Sequence, residues 1–259
     1  MTAEKRPHPT ILRGLIVLEK VIQAQRPISA TELIEELELP KPTVNRILQQ
    51  LEEEGLLHRE PVNRRYLPGW RTREMALGVM TNKALGAPRH TILKALSEEI
   101  GETCNCTMLD GDHTVYFDRV EANWPFRIQL PAGSQLPLHC TASGKLFLAY
   151  MEPRQRRRLL AAAPLKRFTD RTITDIDQMS AELKRIEKEG IGIDNEEFMA
   201  GMVAVAVPVF NPANAICFTV AVHAPAVRKP LAALRQYVPS LRQAAAAMAA
   251  TYCGDSKGA

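Results

Sequence analysis

Lys41, Thr43, Asn45, Arg46, Gln49 and Gln50 crowd into one short stretch and point to a specific chemistry. An arginine pairs with guanine, asparagine and glutamine pair with adenine, and a threonine methyl can touch the methyl of thymine. Arg59, Arg64 and Arg65 follow closely, and a phosphate field would draw such guanidinium groups toward a backbone or a minor groove. Glu52, Glu53 and Glu54 close the same stretch. Phosphates would repel them, so only its amino-terminal half can approach DNA closely.

The segment Leu138–Lys145 suggests a second chemistry. A strand-like run leads into a helix whose first turn is made of small residues. The N–H groups of Ala142, Ser143 and Gly144 would then stand exposed at a helix start, where orphan donors and the helix dipole favour a carboxylate. The competing reading is structural, with Thr141 capping the helix and Gly144 permitting close packing. His139 precedes the turn and joins the candidate set. The run invites comparison with a phosphate loop, but His139 stands where the first Gly is needed and Leu146 where a Ser or Thr would hold Mg²⁺. With no H-E-x-x-H helix either, the chain is read as a binding protein, not an enzyme, with no cofactor.

Cys104, Cys106, His113, His139 and Cys140 would be the donors of a metal or redox sensor. Cys-x-Cys can ligate zinc, yet no second pair at structural-zinc spacing accompanies it. Strand alternation leaves both thiols on one face, where they read as core, and no metal is assigned. A metal- or thiol-based sensor and, behind it, an enzyme acting on a small acid are the competing readings.

The elements that must position these groups follow from spacing. Ser29-Ala30-Thr31-Glu32 fits a capping box and opens a helix with Leu33, Ile34 and Leu37 on one face. Pro40 and Pro42 bracket Lys41, and Pro42 suits a first helical position. Val44, Ile47, Leu48 and Leu51 form an i, i+3, i+4, i+7 stripe, expected to bury against the preceding helix and against Ile11, Leu15, Leu18 and Ile22 upstream. Gly55 ends this helix. Leu56–Glu60, a turn at Pro61–Arg64 and Arg65–Leu67 read as a hairpin carrying the arginines. Residues 8–69 are thus read as a winged helix-turn-helix; the bland alternative is a packing unit with solvated arginines.

Trp70–Leu85 reads as a linker helix (70–86) with Met75, Ala76, Val79 and Met80 on one side, facing either a partner subunit or the chain's own second domain. After Gly86-Ala87-Pro88, a helix with Ile92, Leu93, Leu96 and Ile100 opens a second domain (87–252), and 253–259 reads as a flexible tail. Thr103–Leu109 and Thr114–Val120 flank an Asp110-Gly111 turn. Arg127–Leu130, Val203–Phe210 and Ile216–His223 add strands, and helices follow Thr141, Pro153, Thr174 and Pro239. The fold class is α+β with a largely antiparallel sheet.

Composition sets outer bounds. A chain of 259 residues with 46% apolar content can bury two cores. It has no apolar run of membrane-spanning length, and residues 1–9 are polar, so the cytoplasm is the expected location. Five spread cysteines do not suggest a disulfide framework. The net charge of +4 permits nucleic-acid binding without requiring it, and the basic run Arg154 with Arg156–Arg158 reads as a solvated helix face.

Leu39-Pro40-Lys41-Pro42-Thr43-Val44-Asn45-Arg46-Ile47-Leu48 resembles the recognition helix of IclR-type bacterial transcriptional regulators, where P-K-S-T-V-x-R-L-L is usual and Pro42 here replaces the Ser. The likeness continues through Leu138–Lys145, similar to L-H-x-T-A-x-G-K, and through Gly190–Glu197, and spans about Thr10 to Tyr252. The resemblance implies a GAF-like effector domain that binds small organic acids near Leu138–Lys145. It implies that Asp194 holds a hydroxyl or oxo group. Met202 and Ala204 stand where relatives carry an apolar residue and a pocket Cys, and Thr219, Ala221 and His223 where they carry small residues and Ser. Asn105, on the same strand face as Thr103 and Thr107, joins this set as a polar contact. The expected protein is a dimeric or tetrameric repressor or activator. It reads an inverted-repeat operator in double-stranded DNA through Lys41, Thr43, Asn45, Arg46, Gln50, Arg59, Arg64 and Arg65, responds to a small organic or aromatic carboxylate, and has RNA polymerase as a candidate partner.

Overall fold

The computed structural model describes residues 9–24, 26–124, 133–162, 164–212 and 214–252; the expected strand Arg127–Leu130 and the expected tail 253–259 lie outside them. The chain forms two compact units that divide between Met80 and Thr81, inside the stretch read as the linker.

The first unit runs α1 (Thr10–Gln23), α2 (Ala30–Leu37), α3 (Lys41–Glu53), β1 (Leu57–Arg59), β2 (Tyr66–Pro68) and α4 (Trp70–Thr81). Ser29 caps α2 as its sequence requires: its hydroxyl accepts the Glu32 N–H at 3.2 Å, and its own N–H donates to Glu32 Oε2 at 2.8 Å. α3 begins at Lys41, so Pro42 occupies the second helical position rather than the first. Its missing N–H is one of the orphan donors there too. Val44, Ile47 and Leu48 pack with Leu33, Leu57, Tyr66, Val17 and Val21.

The α1 expectation holds at Leu18, which packs against this core, and is corrected at the other three positions. Ile11 is 74% exposed, and Leu15 and Ile22 are also exposed, while Val17 and Val21 are buried. This helix carries two apolar stripes of helical period, and periodicity cannot say which meets α3. The hairpin closes tightly onto the end of α3. A Cβ on Gly69 would lie 2.1 Å from the Gly55 carbonyl oxygen, so only glycine permits that approach.

The second unit runs α5 (Lys83–Ile100), β3 (Thr103–Asp110), β4 (His113–Val120), β5 (Gln135–Pro137), α6 (Ala142–Tyr150), α7 (Pro153–Ala162), α8 (Ile176–Glu189), β6 (Gly192–Asn195), β7 (Met202–Phe210), β8 (Ile216–Pro225), α9 (Leu231–Arg235) and α10 (Val238–Tyr252). The expected helix Trp70–Leu85 is therefore two helices meeting at Asn82. Pro88, read as a break, lies inside α5 near its start, where its lost N–H removes one hydrogen bond and the helix continues.

The strands form one antiparallel sheet in the order β5-β4-β3-β8-β7-β6. One face, with Cys104, Cys106, Val205, Val207, Val220 and Val222 buried, lies toward α10, where Cys106 Sγ meets Met248 Sδ at 3.8 Å. The other face is small at its centre. Ala204, Ala206 and Ala221 underlie α6, and α8 packs on α6 through Met179, Leu183 and Ile186. A Cβ on Gly192 would lie 2.0 Å from the Ala142 carbonyl oxygen. These small residues let the amino terminus of α6 descend onto the sheet.

Candidate functional site

In the first unit the buried stripe of α3 turns its polar side outward. Lys41, Asn45, Arg46, Gln49 and Gln50 are exposed and Thr43 is half-buried. Gln49 is engaged along the helix, donating to Glu53 Oε1 at 2.8 Å. The β1–β2 hairpin leaves Arg64 exposed, with a left-handed φ of +50°. Arg59 stacks on the Tyr66 ring at 5.3 Å. Arg65 is drawn elsewhere. Its Nη1 donates to the Pro27 carbonyl at 3.1 Å and to Glu32 Oε2 at 3.2 Å, tying the hairpin to the cap of α2. The Ser29 hydroxyl and N–H, and Arg26 after them, hold the Glu32 carboxyl down at about 2, so this anchor stays charged.

In the second unit a small cavity, partly open to solvent, lies between the start of α6 and the small-residue face of the sheet. Of the residues expected to bind an effector, Asn105, Thr141, Ala142, Ser143, Asp194, Met202, Ala204 and His223 line it, together with Ala221. Thr141 Oγ1 accepts the Gly144 N–H at 3.1 Å and donates to the Pro137 carbonyl at 2.8 Å. The capping reading of Thr141 therefore holds. Ala142 and Ser143 occupy the first two helical positions, whose N–H groups have no intrahelical acceptor. Gly144 has the packing role, since a Cβ there would lie 2.4 Å from the Leu138 carbonyl oxygen.

Three expected contacts fall outside the cavity lining. His139 turns away, its Nε2 at 2.9 Å from the Lys166 carbonyl and its ring against Phe168. Thr219 is wholly buried and donates to Ser143 Oγ at 2.8 Å. Gly144 lies beneath the helix start. Thr219 shares the sheet face of Ala221 and His223 but lies farther along β8, covered by Ser143 of α6; His139 precedes α6 and turns to Lys166.

The acidic segment reads differently in three dimensions. Asp194 belongs to strand β6, and the turn begins after it, with Glu196 at φ +62°. Asp194 Oδ1 accepts the N–H of Glu197 at 2.7 Å and of Phe198 at 3.3 Å. Burial pushes its carboxyl up to about 7, the nearby Glu197 adding to the rise while those N–H groups oppose it. Across the sheet, burial and then the Arg119 charge push His223 down to about 3. The cavity therefore offers a neutral imidazole and a carboxyl that is largely protonated below neutral pH.

Sequence reasoning missed Arg119 and Lys145. Arg119 Nη2 lies 3.2 Å from His223 Nε2, and its guanidinium lies over the Tyr116 ring at 5.6 Å. Lys145, its side chain 1% exposed, donates to Glu197 Oε1 at 2.5 Å and to Glu182 Oε1 at 3.2 Å, anchoring α6 to the acidic turn and to α8. One signal was available for Lys145, the lone charge of α6; Arg119 adjoins Asp118 in β4 and carried no such signal. Among the described residues no group of three or more His, Cys, Asp or Glu is placed to hold a metal. Burial pushes the thiols of Cys104, Cys106 and Cys140 up, away from the reactive thiolate.

Comparison with known proteins adds to this geometry. A family model described as "IclR helix-turn-helix domain" matches residues 10–61, and one described as "Bacterial transcriptional regulator IclR C-terminal" matches residues 78–250. The probable transcriptional regulator SauR of Cupriavidus necator is 44% identical over 242 residues, covering 93% of this chain and 96% of its own. The transcriptional repressor IclR of Escherichia coli is 29% identical over 204 residues, 78% of this chain and 74% of its own. The crystal structure of the Thermotoga maritima IclR matches with a TM-score of 0.63 at 26% identity, covering 95% of this chain and 99% of that one.

Proposed function

The chain belongs to the IclR family of bacterial transcriptional regulators, which bind DNA operators and small-molecule effectors, and from that premise we propose which surfaces do each task. The chain is a DNA-binding regulator, not an enzyme. The amino-terminal half of α3 enters the major groove, with Asn45, Arg46 and Gln50 toward base edges and Lys41 and Thr43 toward the adjoining phosphates. Arg64 and Arg59 of the hairpin lie along the backbone. Arg65, held by Glu32, orients the hairpin more than it grips DNA. Two copies on an inverted repeat would place their recognition helices about 34–36 Å apart.

The effector is a small organic acid, aliphatic or aromatic, seated in the cavity beneath α6. One observation carries this reading: the first two N–H groups of α6 border a cavity whose other polar walls are neutral or backed by a cation. A carboxylate at Ala142 and Ser143 meets donors and the helix dipole. It meets no full negative charge while Asp194 is protonated. The apolar stretch formed by Met202, Ala204 and Ala221 takes the body of the acid.

Thermal unfolding of the full-length protein against mono- and dicarboxylates, including keto and aromatic acids, tests the reading, because a ligand bound only by the native state raises the melting temperature. The expected result is a shift that disappears in Asp194→Ala, with the same acid changing affinity for operator DNA. No shift with any acid of this class sinks the assignment of the cavity.

A further inference from the structure

His223 lines the ligand cavity, yet both of its ring nitrogens are engaged by the protein. Nδ1 lies 3.2 Å from the Asn105 side-chain amide, and Nε2 lies 3.2 Å from Arg119 Nη2. A guanidinium can only donate. Nε2 must therefore accept, and a neutral imidazole that accepts at Nε2 carries its proton on Nδ1 and donates there. The matching group of Asn105 is then its Oδ1. The Asn105 Nδ2 consequently turns toward Thr107 Oγ1, which lies 3.0 Å from the other end of the same amide, with the hydroxyl as acceptor. One Nδ2 hydrogen is left over at the cavity wall that Asn105 forms.

We propose that Arg119 is a positioning residue of this cavity: its guanidinium fixes His223 as the Nδ1–H tautomer and, through it, orients Asn105 so that an amide N–H faces the ligand. This rests on the cavity's being the ligand site, and it names what that site takes beside Asn105. That wall receives an oxygen acceptor, such as a keto oxygen or a second carboxylate oxygen.

The surroundings of His223 are consistent with one protonation state. Its register neighbours are Thr103 of β3 and Ala204 of β7, Asn105 stands beside it on β3, Arg119 approaches from β4, and Asp194 stands one strand farther on, paired with Ala204. Among the described residues the one full charge touching the ring is the guanidinium, which opposes a second proton, in keeping with the low value of this histidine. Glu121 Oε1 lies 3.5 Å from Arg119 Nε, on the guanidinium's own nitrogen and not at the ring.

The test needs no effector. Long-range ¹H–¹⁵N correlation on full-length, ¹⁵N-labelled protein, with His223→Gln to assign the ring, should show Nε2 unprotonated and Nδ1 protonated, unchanged from about pH 5 to about pH 8. Arg119→Met, which removes the donor, should give the Nε2–H form or a mixture. Arg119→Lys, which restores a donor, should return the Nδ1–H form. An Nε2–H ring in the unmodified protein overturns the proposal, as does an Nδ1–H ring that survives Arg119→Met. If Arg119→Met does not fold, the unmodified protein and the lysine variant decide. Because ligand plays no part, the tautomer can be as stated even if no acid binds, and that outcome would count against the ligand site alone.

Discussion

Asp194 of β6 and His223 of β8 stand in one row of the sheet, each paired in register with Ala204 of the strand between them. Two strand spacings, roughly 10 Å, separate their backbones. Burial pushes both toward the neutral form, the acid up to about 7 and the imidazole down to about 3.

Their effects on stability have opposite signs. For Asp194 the folded value lies above the ordinary carboxylate value of 3.8, so its contribution is fully present at low pH and is lost as pH rises toward 7. For His223 the folded value lies below the ordinary 6.5, so its contribution is present at high pH and is lost as pH falls toward 3. Between about pH 4 and 6.5 the two slopes, each near 1.4 kcal/mol per pH unit for one proton, oppose each other. Denaturant unfolding across this range should show Asp194→Asn gaining stability with rising pH relative to the parent, and His223→Gln losing it. Parallel curves for parent and both variants would refute the two protonation states.

The same carboxyl governs the ligand. As Asp194 ionises above about pH 7, a bound carboxylate gains a negative neighbour, and acid affinity should fall. Calorimetric titration with whichever acid raises the melting temperature should show this fall in the parent and not in Asp194→Asn. An equal fall in both would place the titrating group elsewhere.

Lys145 is the buried cation for Glu197 and Glu182. Removing one partner strands the other's charge in the interior, a loss of about 3 to 5 kcal/mol. Lys145→Met should lower the melting temperature of the full-length protein by about 6 to 20 °C, on the scale expected for a unit of this size. Adding Glu197→Gln should recover part of it. A melting temperature unchanged in Lys145→Met would show that the ion pair is not holding α6 to the acidic turn.

Gly192→Ala tests the descent of α6 onto the sheet. The new methyl would meet the Ala142 carbonyl oxygen, which must retreat and carry the Ala142 and Ser143 N–H groups with it. Acid-induced stabilisation should weaken by at least tenfold in apparent affinity, on the order of 1.4 kcal/mol, while operator binding without effector stays unchanged. Undiminished acid binding would show that these N–H groups are not the anion contact.

On the DNA side, Arg46→Ala should weaken binding to a selected operator by about 1 to 3 kcal/mol with little effect on random duplex, whereas Arg64→Ala should mainly flatten the salt dependence, by about one unit of slope. Fluorescence anisotropy across a salt series separates the two. An equal loss on operator and random DNA for Arg46→Ala would remove it as a base reader.

What the sequence determined by itself were the features set by neighbours along the chain. The Ser29–Glu32 capping box, the buried stripe of α3, its polar outer face and the small first turn of α6 are all local patterns, because caps and helical period involve residues a few positions apart. The helix-turn-helix, the antiparallel sheet and the motif pattern of the family were legible for that reason. Only tertiary structure decided which of α1's two apolar stripes is buried, since both have the same period. It likewise turned Arg65 toward Glu32 and His139 toward Lys166. It brought Arg119 to His223 and Lys145 to Glu197, partners 104 and 52 positions apart. Sheet register and the descent of α6 set those meetings, and no local pattern encodes a contact made across strands that distant in the chain.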